Sequence, residues 1–225
     1  MNTVQRIDTE LQPKTRERIL IEASKLFSEA GYMGTSTRDI ADAVGIKQPG
    51  LYSHFGSKAE VFAALAQASL DPMLELVAQE KKLKNSSPVE LARLLRGIAY
   101  SIAYSSYNSE WMFGPVPLDP EFFPLWQNYL ALTNRLEAIV AKGKKSGAFR
   151  NISPSIGQEI LINNLSVVMW SPLASMADWR PNKKLRKRVD DLVKFALFGI
   201  MANASEVEGV FEEADFEYVP MGLVV

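Results

Sequence analysis

GIKQPGLYSHFGSKAEVF, residues Gly45 to Phe62, holds the chain's one histidine, His54, and a Pro-Gly pair inside a pattern that otherwise reads as helix. Proline is tolerated in the first turn of a helix, where its missing amide proton is no loss. Placed there, Pro49 marks a start, and Gly50, lacking a side chain, lets the backbone come close to another molecule. A helix is therefore expected from about Lys47 to Phe55. Before it, Ser36-Thr37-Arg38-Asp39 has the form of a capping box. That box opens a short helix with Ile40, Ala43 and Val44 facing inward, and Gly45 ends it. After it, Ser57-Lys58-Ala59-Glu60 is a second capping box, opening an apolar helix through Val61, Phe62, Leu65 and Ala66. Two short capped helices joined by a glycine turn make a helix-turn-helix pattern, whose second helix presents its N-terminal residues to the major groove.

On this reading Lys47 and Gln48 reach base edges, since lysine pairs with guanine and glutamine with adenine. Pro49 and Gly50 are silent, so those two carry much of the specificity. Tyr52 and His54 offer a hydroxyl and a ring N–H to phosphates. Lys58 stands at a helix N-terminus, a place that already favours an anion. Thr35, Thr37 and Arg38 surround the start of the preceding helix, which crosses the DNA backbone in such motifs. His54 has no nucleophile partner in the sequence, and no helical HxxxE or HxxEH spacing exists. No catalytic residue, metal site or cofactor is expected, and the chain is not read as an enzyme.

Working outward, helical periodicity continues almost everywhere and no run alternates like a strand. The first helix reads Lys14 to about Ala30 on a stripe of Ile19, Ala23, Leu26, Phe27 and Ala30, with Gly31 as its stop. Asp71-Pro72 is expected to interrupt or kink the fourth helix. The domain boundary is placed there, giving domains 14–74 and 75–225. Further helices are expected from Ser87 to about Tyr107, Glu121 to Ser146, Pro154 to about Trp170, and Asn182 to about Ala204. Residues 108–124 are irregular, with four prolines. The tail after the last helix carries six acids between Glu206 and Glu217 and reads as solvated.

The second domain is rich in aromatic residues. Tyr100, Tyr104 and Tyr107 fall on one helical face, and Trp111, Phe113, Phe122, Phe123, Trp126, Tyr129, Asn163 and Trp170 follow. Apolar walls with a few polar groups are the material of a small-molecule pocket. These residues are the candidate ligand-binding set, for an apolar or aromatic ligand. Ile156, Ile160 and Val167, with Val189, Val193, Ala196, Gly199 and Ile200, stripe the helices near 154–170 and 182–204. Two such helices from each of two copies would make a four-helix homodimer interface. The basic run Lys183 to Arg188 reads as a solvated first turn.

Composition agrees with such a protein. Forty-seven percent of the 225 residues are hydrophobic, enough for a sizeable core, and the absence of cysteine fits a reducing compartment. The N-terminus has no apolar stretch like a signal peptide's, and no apolar run approaches membrane length, so a soluble cytoplasmic protein without a membrane partner is expected. The formal charge is −1, and residues 14–60 carry seven Lys/Arg against six Asp/Glu. The case for DNA therefore rests on where charges sit.

The stretch LFSEAGYMGTSTRDIADAVGIKQPGLYSHFGSKAEVF resembles the N-terminal DNA-binding module of the TetR (tetracycline-repressor) family. Its Leu-Phe and Gly-Tyr before Thr-Ser, its Asp-Ile-Ala, its Val-Gly-Ile turn and its Leu-Tyr-x-His-Phe-x-Ser-Lys carry the likeness. The match covers about the first 62 residues. It implies an all-α chain, with a three-helix helix-turn-helix domain followed by a larger helical ligand-binding and dimerisation domain. It implies a homodimeric repressor that leaves a palindromic operator when a small-molecule effector binds. Thr35 and Thr37 match positions near the operator backbone; Tyr52, His54 and Lys58 match phosphate-contact positions; Lys47 to Gly50 occupy the part that chooses bases. The alternative reading is a small-molecule-binding helical protein or enzyme that has lost DNA binding.

Overall fold

The computed structural model describes residues 14–105, 107, 122–169 and 183–215. The regular structure among them is helical, apart from one bridge pairing Phe149 with Met201. Two compact units emerge. Among the described residues, unit 1 takes 14–68 together with 107 and 122, and unit 2 takes 69–105, 123–169 and 183–215.

Unit 1 contains α1 (Thr15–Gly34), α2 (Thr37–Val44), α3 (Gln48–Tyr52) and the first half of α4 (Lys58–Glu80). Gly31 breaks the helical path of α1 with φ of 73°, so the regular helix stops where the sequence indicates. The buried stripe of α1 is Ile19, Leu20, Ala23, Ser24 and Phe27, whereas Ala30 is exposed. On α2 the inward face is Ile40, Ala41 and Val44. Ala43 is exposed, because α2 packs on α1 and α3 together and the face between them turns toward Ala41. An aromatic cluster closes the unit. Phe62 lies 5.7 Å from Phe27 and 5.0 Å from Tyr32 by ring centroids, and Phe122 comes within 4.9 Å of Phe62 and 5.7 Å of Tyr32.

Contrary to the expected interruption at Pro72, α4 is continuous. By length and composition it is also, among the described residues, a helix that could cross a membrane, which the sequence reading excluded. Its apolar positions are instead spent inside the protein: Val61, Phe62, Leu65, Leu70, Met73 and Val77 are all buried.

Unit 2 is built around α5 (Ser87–Ala103), which touches α6 (Phe123–Ser146), α7 (Pro154–Met169), α8 (Lys183–Ile200) and α9 (Val207–Glu213). On α5 the side chains of Leu91, Leu94, Leu95 and Ile98 are 2% exposed or less. The second half of α4 approaches α5 so closely at Gly97 that an added Cβ would sit 2.0 Å from a Leu76 methyl.

Enclosure on several sides also buries charge. Glu80 accepts from Arg93 at 2.9 Å, Glu90 pairs with Arg135, and Arg96 meets Asp190 at 3.2 Å and Asp215 at 3.1 Å. Tyr100 donates to Asp190 at 3.2 Å. Burial, and then the charge of Asp190, push the Tyr100 hydroxyl up to about 12, so it remains a donor at neutral pH. The acidic tail is not simply solvated, because α9 inserts Val207, Phe211 and then Ala214 into the core. Their spacing of four and three residues is a helical stripe beneath the acids.

Candidate nucleic-acid interface

The short helices of unit 1 owe their positions to local chemistry. Ser36 Oγ accepts from the Asp39 amide at 3.1 Å, and Asp39 Oδ2 accepts from the Ser36 amide at 2.8 Å and its hydroxyl at 2.7 Å. The hydroxyl bond, then the amide bond, with a smaller effect of the Arg38 charge, hold the Asp39 carboxyl below its ordinary range. Gly45 ends α2 at φ 75° and ψ 32°, the left-handed cap that glycine adopts without strain. Arg18 of α1 donates to the Val44 carbonyl at that end, and Arg16 stacks 4.7 Å from the Phe55 ring centroid. The sequence reading assigned neither arginine a role. Both tie the α2–α3 segment to α1.

The start of α3 faces water. Lys47 is its N-cap in extended conformation, and its ammonium, which has no lone pair, cannot be spent on the amides of the helix end. Lys47, Gln48 and Pro49 are exposed and Gly50 is half-buried. Tyr52 is 47% exposed, and His54 and Arg38 are also exposed. Arg38 reaches Asp42 only at 3.9 Å, with both side chains more than 70% exposed. Such a loose surface pair leaves the guanidinium available. One hydroxyl ties the face together: Thr37 Oγ1 accepts from Gln48 Nε2 at 3.1 Å and lies 3.3 Å from Tyr52 Oη.

Two expected contacts lie elsewhere. Thr35 is 3% exposed, and its hydroxyl faces the Leu26 and Gly31 carbonyls at 3.2 and 2.9 Å. It closes the broken end of α1, so its side chain does not join the exposed face of α2 and α3. Lys58 donates to the Tyr32 and Thr35 carbonyls at 2.7 Å each and sits 4.2 Å from the Tyr32 ring centroid. Burial draws its pKa down. In this structure its ammonium is spent on carbonyls at the C-terminal end of α1. The cap of α4 also differs: Ser57 Oγ accepts from the Glu60 amide, but Glu60 reaches back to the Gly56 amide.

Gly50 separates fold from function. An added Cβ there meets nothing nearer than Ile46 Cβ at 3.8 Å, so packing does not demand glycine. Gly50→Ala is expected to stabilise the free protein by up to about 1 kcal/mol while weakening DNA binding. Thermal melts and gel shifts on the same preparation check both, and undiminished DNA affinity would refute the close-approach role.

Among the described residues, the aromatic ligand set divides between the two units. Tyr100 and Tyr104 stack in unit 2, centroids 5.7 Å apart and planes at 8°, and Trp126 meets Tyr129 edge-on at 6.2 Å. Tyr107 and Phe122 belong instead to unit 1. The α5 helix ends at Ala103, so Tyr107 leaves the tyrosine face, and Phe122 is 1% exposed within the Phe62–Tyr32 cluster. Asn163 is exposed, on the same face of α7 as Ile156 and Ile160. Trp111, Phe113, Trp170 and the Phe123 side chain lie outside the described residues. No group of three His, Cys, Asp or Glu able to hold a metal occurs among the described residues.

A family model described as bacterial regulatory proteins, tetR family, matches residues 19–65, the stretch that builds this face. The HTH-type transcriptional activator FasR of Mycolicibacterium smegmatis (strain ATCC 700084 / mc(2)155) is 39% identical over 98 residues, 44% of this chain and 45% of that protein. The biofilm operon icaADBC HTH-type negative transcriptional regulator IcaR of Staphylococcus aureus is 32% identical over 87 residues, 39% of this chain and 47% of its own. The chain thus spans about half the length of the curated relatives it matches. In three dimensions it resembles AibR, solved in complex with isovaleryl coenzyme A and operator DNA. That likeness has a TM-score of 0.57 at 19% identity, covering 81% of this chain and 97% of that one, and speaks for the fold alone.

Proposed function

We propose that this chain is a TetR-family transcriptional regulator that binds a palindromic operator as a homodimer and is released when a small apolar or aromatic molecule occupies unit 2. The observation that carries this reading is the free N-terminal end of α3, where Lys47 and Gln48 stand exposed beside a half-buried Gly50. In the dimer the two α3 helices must stand about 34–36 Å apart, or a multiple of it, to enter successive major grooves. Arg38, Tyr52 and His54 contact phosphates, and Lys47 and Gln48 meet bases. Lys58 supports that surface from behind by holding the end of α1. The half-buried Trp126–Tyr129 pair and the Tyr100–Tyr104 stack support a ligand with aromatic or apolar character. AibR's complex, which holds both a small molecule and operator DNA, supports a ligand-responsive reading here.

The relatives matched by sequence are named as regulators, which supports a protein that acts by binding DNA in the cytoplasm without catalysing a reaction. Repression follows when the operator overlaps a promoter, in line with IcaR's name. FasR's name favours activation as the second reading, and a reporter in cells with and without the gene separates the two.

A gel shift with DNA upstream of the protein's own gene tests the central reading. Sequence-selective retardation that weakens as salt rises is expected. Ligand binding with complete indifference to DNA would overturn it in favour of a binding protein that has lost its operator.

A further inference from the structure

We propose that Thr37 sets the base preference of this protein without touching the base, by fixing which way the Gln48 amide faces. The proposal rests on the reading of α3 as the base-reading helix. Thr37 is the first residue of α2, eleven residues before Gln48, yet its Oγ1 lies 3.1 Å from Gln48 Nε2 and 3.3 Å from Tyr52 Oη.

A threonine hydroxyl has one hydrogen to give and two lone pairs to accept with. When Tyr52 spends its own hydrogen on a DNA phosphate, its oxygen is left to accept, and Thr37 supplies the hydrogen. Thr37 can then act toward Gln48 only as an acceptor. That requirement selects one of the two orientations of the Gln48 amide. Nε2 points back to Thr37 with one N–H, and the groove receives the other N–H together with Oε1. A donor beside an acceptor matches adenine, which offers N7 and N6–H₂.

The flipped amide would turn Oε1 to Thr37 and both N–H groups to the groove, the pattern that suits guanine N7 and O6. In that orientation Oε1 would need a hydrogen that Thr37 has already given to Tyr52. The chain Tyr52–Thr37–Gln48 therefore converts a sequence-blind phosphate contact into a choice of adenine over guanine at one base pair per half-site. Side chains held by such bonds are preorganised, so less ordering remains for the bound state.

The experiment is selection from randomised duplex DNA by the full-length protein, followed by titration of the selected duplex and of single-base variants. Wild type, Thr37→Val, Thr37→Ser and Gln48→Ala are compared. A good bidentate pair discriminates by roughly 5- to 150-fold. Thr37→Val keeps the shape and removes the acceptor; it is expected to bring adenine over guanine at one position to within about threefold, the expectation from losing a defined amide face. Thr37→Ser, which keeps the hydroxyl, is expected to restore the wild-type ratio. The ratio is the readout because a general loss of affinity or folded fraction cancels from it.

If Thr37→Val leaves the ratio intact while Gln48→Ala abolishes it, the positioning role is overturned and the reading helix stands. If Gln48→Ala changes no base preference, the assignment of Gln48 as a reader fails, and with it the premise. If Thr37→Ser behaves like Thr37→Val, the effect is one of shape, and the hydrogen-bond account is wrong.

Discussion

Arg135→Met should lower the unfolding free energy by about 3–5 kcal/mol, the range for breaking a buried ion pair by removing one partner. Arg135 of α6 pairs with Glu90 of α5, whose side chain is only 4% exposed. Methionine keeps most of the apolar stem, so the loss does not come mainly from a cavity. It comes from a carboxylate left in a low-dielectric place with its counter-charge gone. Glu90→Met combined with Arg135→Met removes both charges and is expected to recover most of the loss, since apolar replacement of a whole buried pair is often neutral. Urea titrations of the two variants and wild type, compared at unchanged m-value, provide the check. A single-variant cost no larger than that of an exposed pair would show that water reaches Glu90.

That buried pair also marks where sequence reading ran out. Unit 1 was legible because its signals are local: Ser36 and Asp39 cap each other across three residues, Gly45 takes the left-handed turn, and Pro49 falls in the first turn of α3. Unit 2 disclosed its apolar stripes but not its charges. Glu90, Arg93 and Arg96 recur every three residues on α5, as a solvated face would. Their burial follows from partners distant in sequence, with Asp190 and Asp215 roughly a hundred residues away.

The interface was half legible for a related reason. Gly31 announced that α1 would stop, but nothing nearby said which side chains would answer its carbonyls. Thr35 and Lys58 do so, and are thereby drawn away from the face expected of them. On α8, helical spacing found a stripe, yet Val189, Val193 and Ile200 are 4% exposed or less and belong to the chain's own core. Two adjacent stripes share such a helix, and only the packing of α5 decides which one turns inward. The face left over bears Phe195, 70% exposed, and Phe198, 42% exposed.

On the proposed homodimer, Phe195→Asp is therefore expected to abolish pairing and, with it, high-affinity operator binding. Phe195 and Phe198 on α8, with Ile156 and Ile160 on α7 (51% and 61% exposed), present large apolar side chains to water in the isolated protomer. Large apolar side chains exposed on two helices that pack together mark an interaction surface. Packing α7 and α8 against their copies in a four-helix arrangement would remove it. An aspartate near the middle of that face would have to be desolvated opposite its own symmetry mate, a cost that isologous contact doubles. Because Phe195 makes little contact within its own protomer, the variant should keep its helical content. Sedimentation should give half the wild-type mass. Affinity for the palindrome should fall by about 10²–10⁴-fold, the advantage that a second tethered half-site confers. Binding to an isolated half-site should be unchanged, which separates loss of pairing from damage to unit 1. A Phe195→Asp protein that remains dimeric would place the interface on another face. One that becomes monomeric yet holds the palindrome as tightly as wild type would show that the two reading helices do not act as a pair.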